Sequence, residues 1–344
     1  MTISEDIPFG QRRIGTGHPV CIMAEIGINH EGSVEVCARM IEAAARAGAD
    51  SVKLQTIDAD ANYVRGTESH TLFSTAWLTP EETAAMFDLA RTLGMEPFTT
   101  AGDPATLEWV ERLEPAAHKI SSGLLTHLPI VRQAARTGRT LLVSTGMSQL
   151  DEVDEAMAGA RAAGAVDIGL FQCTSVYPAP PESANLAAIR WLAERFGVPA
   201  GYSDHTLGDE VAALSVAAGA VMVEKHFTLD TTRPGYDHPI SLDEAGFAAM
   251  VRRIRAAEAA MGRPGKVPVL DETDRARRFR RILVALTDIP AGAVLGPGNL
   301  GCKRPLPGTA GLPPRELEAL FGRRTARPLA RDEAVTLDCI EAER

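Results

Sequence analysis

The stretch Ala218-Gly219-Ala220-Val221-Met222-Val223-Glu224-Lys225-His226-Phe227 decides the fold. Its glycine follows an amphipathic run and supplies the left-handed conformation that ends a helix. The apolar, β-branched residues after it read as a buried strand. Working outward, the same junction recurs as Ala-Gly-Ala-Asp at 47–50, Leu-Gly-Met at 93–95, Thr-Gly-Arg at 137–139, Ala-Gly-Ala at 163–165 and Phe-Gly-Val at 196–198. The pattern predicts strands over 20–26, 50–56, 95–100, 117–123, 140–146, 167–174, 199–205 and 220–227. Helices are predicted near 33–47, 80–93, 103–113, 127–137, 149–163, 185–196, 209–218 and 243–261. Eight strand–helix units over about 240 residues read as an α/β chain with a (β/α)8 TIM barrel over 1–261. A doubly wound sheet is the rival, but it has no reason to stop at eight strands.

Beyond the barrel the pattern breaks. Gly262-Arg-Pro-Gly-Lys-Val-Pro is rich in turn residues, and 271–281 holds five arginines, so 262–281 reads as an exposed linker. Residues 282–344 read as short strands between Pro and Gly, a small, mainly β domain. One barrel connection, 57–79, is long and polar, and loops of that length on the C-terminal face serve as lids or binding loops more often than as spacers.

Composition narrows the function. Lys plus Arg total 35 against 45 Asp plus Glu, and the net charge of −10 disfavours a nucleic acid partner. No apolar run approaches the roughly 18–20 residues of a membrane span. The first residues, Met-Thr-Ile-Ser-Glu-Asp, lack an apolar core and do not read as a signal peptide. Five scattered cysteines without a CxxC pair fit reduced thiols, so a cytoplasmic location is expected. Cys21 and Cys173 lie in apolar strands and read as small hydrophobes.

The strand ends carry the chemistry. Alternation puts Glu224 and His226 on one face and sends Lys225 outward; it likewise pairs Ser203 with His205. His205 and His226 end consecutive strands, so both imidazoles can reach one ion, and imidazole suits several divalent metals. Glu25 points to the mouth near Asn29 and His30. Lys53 and Gln55 end the second strand and Thr99-Thr100 the third. Lys119 with Ser121, Ser122 and Gly123 ends the fourth, and Ser144-Thr145-Gly146 the fifth. Lysines beside hydroxyls and glycine backbone suit a phosphate or carboxylate. A buried lysine needs an anion, so Lys53 and Lys119 require either internal carboxylates such as Glu25 or a ligand. The bland readings are also in view. A lone histidine is usually structural, and His70, His118 and His127 read as surface or packing residues. Asp60 and Glu68 read as solvated.

Six motifs stand in order along the chain: Ala-Glu-Ile-Gly-Ile-Asn-His-Glu-Gly at 24–32, His-Lys-Ile-Ser-Ser-Gly at 118–123, Leu-Val-Ser-Thr-Gly-Met at 142–147, Gln-Cys-Thr-Ser-Val-Tyr-Pro at 172–178, Gly-Tyr-Ser-Asp-His-Thr at 201–206 and Glu-Lys-His-Phe-Thr-Leu-Asp at 224–230. They resemble the sialic acid synthase family, and 282–344 resembles its C-terminal antifreeze-like (SAF) domain. The resemblance implies condensation of phosphoenolpyruvate with an aldose, as N-acetylmannosamine, to a nonulosonic acid and phosphate. It implies that His205 and His226 hold a divalent ion, Mn2+ or Mg2+. It makes Lys53, Thr100, Lys119, Ser122, Ser144 and Ser175 the phosphoenolpyruvate cradle, and Glu25 and Glu224 the carboxylates that flank the reacting carbons. Tyr177 and Asp237 match positions that hold the sugar. Arg304 matches an arginine that the SAF domain inserts into the partner's site in a domain-swapped homodimer. The chain departs from the family pattern where Leu124 replaces a glutamate, where Ala101-Gly102 follows the strand 3 threonines, and in 57–79. All three changes fall on the acceptor side. A metal-dependent aldolase or hydrolase barrel, or a carbohydrate-binding protein with a decayed site, are the alternative readings.

Overall fold

The computed structural model describes residues 6–262, 265–268 and 272–342. The chain divides into two compact units, Met1–Gly262 and Arg263–Arg344. The first opens with a hairpin of β1 (Asp6–Phe9) and β2 (Arg12–Gly15). The barrel follows, strands alternating with helices and three helices between β4 and β5: β3 (Cys21–Gly27), α1 (Val34–Ala47), β4 (Ser51–Thr56), α2 (Ala59–Asn62), α3 (Glu68–Thr75), α4 (Pro80–Thr92), β5 (Glu96–Ala101), α5 (Pro104–Glu111), β6 (His118–Ile120), α6 (Leu128–Arg136), β7 (Leu141–Ser144), α7 (Leu150–Ala162), β8 (Ile168–Cys173), α8 (Ala187–Phe196), β9 (Ala200–Asp204), α9 (Glu210–Ala217), β10 (Met222–His226) and α10 (Glu244–Met261). The strands β3 to β10 pair in order, all parallel, and β10 closes on β3. The glycine signal works as expected: Gly48 and Gly197 cap α1 and α8 in the left-handed conformation.

Two apolar layers result. Outward-facing strand residues and the inner faces of the helices form the larger one, with Ile22, Val52, Leu170, Val223 and Phe247 in it. The second fills the lower lumen, and it includes the hairpin. Ile7, Phe9 and Ile14 pack there with Met23, Phe98, Leu142, Phe171 and Met222. Phe9 meets Phe98 edge to face at 5.3 Å. Each such side chain, fully buried, contributes about 1.5–3 kcal/mol. The hairpin is thus a plug in the N-terminal end of the barrel, a role no feature of residues 1–19 announces.

One expectation is corrected. The 57–79 connection is partly helical: Asp58 caps α2, Thr67 caps α3, and Tyr63 stacks on Phe73 at 5.1 Å. Within it Asp60 is exposed, as expected, and pairs with Arg65 and His70. Lys225 points away from the lumen, as alternation predicts, and is fully buried. His118 is buried and paired with Glu111 at 2.6 Å, a packing residue.

In the second unit the charged run forms a helix, α11 (Glu272–Phe279), and residues 263–264 and 269–271 of the expected linker lie outside the described residues. The antiparallel pair β11 (Ile282–Ala285) and β12 (Leu300–Lys303) follows. Leu283, Ile289, Leu295, Leu300, Leu329 and Val335 make its small core. Arg304 lies with its guanidinium 3.8 Å from the centre of the Phe279 ring.

Candidate active site

Side-chain alternation and strand register bring the polar residues to one layer. Register sets His226 beside Glu25, Glu25 beside Lys53, and Glu224 beside Ser203. A cavity of about 180 Å³ opens at the C-terminal end of the barrel. Its lining includes Glu25, Lys53, Thr100, Lys119, Ser122, Ser144, Ser175, Tyr177, His205, Glu224 and His226, eleven of the thirteen side chains singled out from the sequence. Asp237 lies beside it, with Oδ2 at 3.5 Å from His226 Nδ1. Arg304 belongs to the second unit.

Two lysines and two glutamates form the floor. Lys119 Nζ donates to both oxygens of Glu224, at 3.0 and 2.9 Å. Lys53 Nζ lies 2.6 Å from Glu25 Oε2 and 3.1 Å from Glu224 Oε2. Ser203 Oγ donates to Glu224 and Gln55 Nε2 to Glu25. Burial alone would raise the Glu224 carboxyl, but Lys119 and Lys53 outweigh it and hold Glu224 well below the usual carboxylate range. For Glu25 burial wins over Lys53, and Glu224 adds repulsion, so its carboxyl is pushed up to about 7. Two ammonium groups and one firmly ionised carboxylate leave the floor net positive whenever Glu25 holds its proton. An anion therefore finds a counter-charge there.

Hydroxyl groups ring this floor without partners of their own. Thr100 Oγ1, Ser144 Oγ and Ser175 Oγ are buried and make no hydrogen bond. Buried hydroxyls left unpaired cost roughly 1–3 kcal/mol each, which marks them as groups awaiting a ligand. Ser122 Oγ accepts from the Gly146 amide at 3.0 Å. A β-carbon on Gly146 would come within 2.4 Å of Ser175 Oγ and 2.7 Å of Ser122 Oγ, so only glycine allows this close approach.

The imidazoles stand on the other side. Their ring centres are 5.3 Å apart, and Tyr177 lies 4.2 Å from His205. His205 Nδ1 donates to the Thr174 carbonyl at 2.8 Å, which leaves Nε2 with its lone pair. His226 Nδ1 is buried without a hydrogen-bond partner. Burial keeps His226 well below its ordinary pKa, hence neutral and able to ligate. Among the described residues no group of three or more His, Cys, Asp and Glu is arranged around one ion. The neutral His226 and the Nε2 of His205 have the chemistry of ligands to a divalent ion.

Some residues of the site escaped the sequence reading. Cys173 lines the cavity, with Sγ 3.8 Å from His205 Nδ1, and is more than a strand hydrophobe. Two-residue alternation from Phe171 carries that signal. Tyr63, Phe73 and Met147 also line it, and sequence offers no pattern for them. His238 was not singled out; buried, it joins Thr228 to Glu31. Asn29 holds the Asp237 amide at 3.0 Å. Leu124, by contrast, packs against the helix-side core, while its neighbour Gly123 lines the cavity.

A TIM barrel with a basic, hydroxyl-ringed mouth and two imidazoles facing it defines a class, an enzyme acting on a small anionic substrate. The NeuB family model matches residues 40–266, and the SAF domain model matches residues 280–341. The chain is 35% identical to an uncharacterised protein of Methanocaldococcus jannaschii over 97% of this chain and 98% of the other. It is 33% identical to the N,N'-diacetyllegionaminic acid synthase of Legionella pneumophila, over 95% of this chain and 96% of the relative. A crystal structure of the N-acetylneuraminic acid synthetase of Leptospira borgpetersenii superposes with a TM-score of 0.76 at 29% identity, covering 80% of this chain and 96% of that one. The chain belongs to the NeuB family and carries a C-terminal SAF domain; it is an enzyme, a phosphoenolpyruvate-dependent sugar acid synthase. Among the described residues no helix is long and apolar enough to cross a membrane.

Proposed function

We propose that the acceptor is an N-acylated aminohexose such as N-acetylmannosamine, and that the product is a sialic-acid-like 2-keto-3-deoxy sugar acid. One observation carries the reading: three unpartnered hydroxyls, an unpartnered imidazole nitrogen and two buried lysines line a single cavity. In the reaction a bond forms between C3 of phosphoenolpyruvate and the sugar carbonyl carbon. Water adds at C2, and the C2–oxygen bond to phosphate breaks.

Lys53 and Lys119 neutralise the phosphoenolpyruvate anion, and Thr100, Ser122, Ser144 and Ser175 direct its oxygens. Tyr177 and Asp237 hold the sugar. Glu224, kept ionised, faces the positive character that develops at C2. Glu25, with its raised pKa, takes the proton from the water that adds there. His205 and His226 would hold a divalent ion, Mn2+ or Mg2+, which when bound polarises the sugar carbonyl as a Lewis acid. The subunits pair as a homodimer in which Arg304 of one SAF domain reaches the mouth of the other barrel. Met147 and Leu207, 70% and 61% exposed on loops of that end, suit such a cover.

The test is phosphate release from phosphoenolpyruvate with a panel of free aldoses and N-acylated aminohexoses. Release that requires both substrates, and is fastest with an N-acylated aminohexose, is expected. A plain aldose as the best acceptor would overturn the sugar assignment, and sugar binding with no release would favour the decayed-site alternative.

A further inference from the structure

Lys225 sits between Glu224 and His226 but faces the opposite way, into the layer covered by α9. Its ammonium pairs with Asp204 Oδ2 at 2.9 Å, and both side chains are 0% exposed. Neither touches the cavity, and no step of the reaction uses them. A fully buried ion pair is seldom kept for stability, because the desolvation of both ions offsets most of their attraction. Its hydrogen bonds show what it does instead. Asp204 Oδ1 accepts from the Thr206 amide at 2.8 Å, and Lys225 Nζ donates to the Thr206 carbonyl. Both polar groups of the residue after His205 are thereby gripped from behind the barrel wall. His205 is held from the front as well, through Ala179 N to its carbonyl at 2.9 Å and through its own Nδ1 to Thr174. Asp204 precedes His205 on β9 and Lys225 precedes His226 on β10, and the register sets Asp204 opposite Lys225. The one ion pair therefore ties together the two strand ends that carry the imidazoles.

We infer that Asp204 and Lys225 are positioning residues that fix the spacing of His205 and His226 and so set the affinity of the site for a divalent cation. The inference rests on the reading that these imidazoles hold such an ion. Rigid support behind the ligating groups is what gives a two-imidazole site its affinity, since it has few protein ligands to spare. Replacing both charges together avoids leaving one buried and unpaired.

The experiment is Mn2+ titration of chelator-stripped full-length protein, followed by electron paramagnetic resonance, alongside thermal unfolding and steady-state kinetics at saturating Mn2+. The double variant Asp204→Leu/Lys225→Met should fold with a melting temperature near or above that of the parent. Its Mn2+ Kd should rise about tenfold or more, consistent with the 10–100-fold losses seen when support behind metal ligands is removed. Its kcat should fall while the KM for phosphoenolpyruvate stays unchanged. Asp204→Asn keeps an acceptor for the Thr206 amide and should show a smaller loss of Mn2+ affinity. If the parent itself binds no Mn2+, the assignment of His205 and His226 fails and this inference with it. If the parent binds and a folded variant binds equally well, only the positioning role is overturned. Failure of both variants to fold assigns the pair to stability and overturns it too.

Discussion

The lower and upper halves of the barrel lumen differ by a single pleat. On five strands a step of two residues exchanges an apolar side chain for a polar one: Met23 for Glu25, Phe98 for Thr100, Leu142 for Ser144, Phe171 for Cys173 and Met222 for Glu224. The lower layer is closed by Ile7, Phe9 and Ile14 of the hairpin and is lined by buried apolar side chains. The upper layer keeps unpaired hydroxyls and a charged floor. Stability and chemistry are thus stacked in one lumen, and each is open to separate attack.

The largest effect is expected at the top. His205→Ala or His226→Ala should lower turnover by on the order of a thousandfold or more and abolish tight Mn2+ binding, while circular dichroism shows the fold intact. Full activity with unchanged metal binding in either variant would remove the pair from the site. The mirror experiment strikes the bottom. Phe9→Ala should cost about 3–5 kcal/mol of folding stability by emptying the plug. Its kcat at a temperature where it stays folded should match the parent. A Phe9→Ala protein that unfolds normally but turns over poorly would break the division between the layers.

A subtler test uses protons. Glu25 must be ionised to accept one, so kcat/KM should rise with pH through about 7. Glu25→Gln should leave a low activity that no longer follows this limb. A limb that persists in the variant would assign the titration to another group. The proposal that a second subunit completes the mouth is tested by mixing two inactive proteins, Arg304→Ala and His226→Ala. After subunit exchange half the dimers are mixed and each has one intact site, so about a quarter of parent activity should return. Verified exchange without recovery would confine Arg304 to its own subunit.

Much of this lumen is legible in the sequence, and the reason is local. Glycine junctions mark six of the helix ends, at 48, 94, 138, 164, 197 and 219, and alternation within a strand assigns Glu224 and His226 to one face whatever the rest of the chain does. What escapes is non-local. The hairpin at 6–15 contributes three scattered apolar side chains, Ile7, Phe9 and Ile14, whose meaning lies in Phe98 and Met222, far along the chain. The partner of Lys225 is 21 residues away on another strand, so alternation gives its direction but not its burial. The 57–79 connection reads as polar, because α2 and α3 are short and its cavity-lining side chains, Ile57, Tyr63 and Phe73, are widely spaced. Leu124 shows the opposite failure. A motif position that stands out in sequence turns its side chain to the core, and the acceptor side is shaped by neighbours that carry no motif.

The central claim is that the buried lysines of the upper layer exist for an anionic substrate. Calorimetric titration of phosphoenolpyruvate into the parent and into Lys119→Met tests it most directly. The account expects one molecule bound per barrel in the parent. It expects binding weaker by roughly tenfold or more in the variant, since a charged hydrogen bond contributes about 1.5–3 kcal/mol and 1.4 kcal/mol is a factor of ten. Equal affinity in the two proteins, with the variant correctly folded, would contradict it.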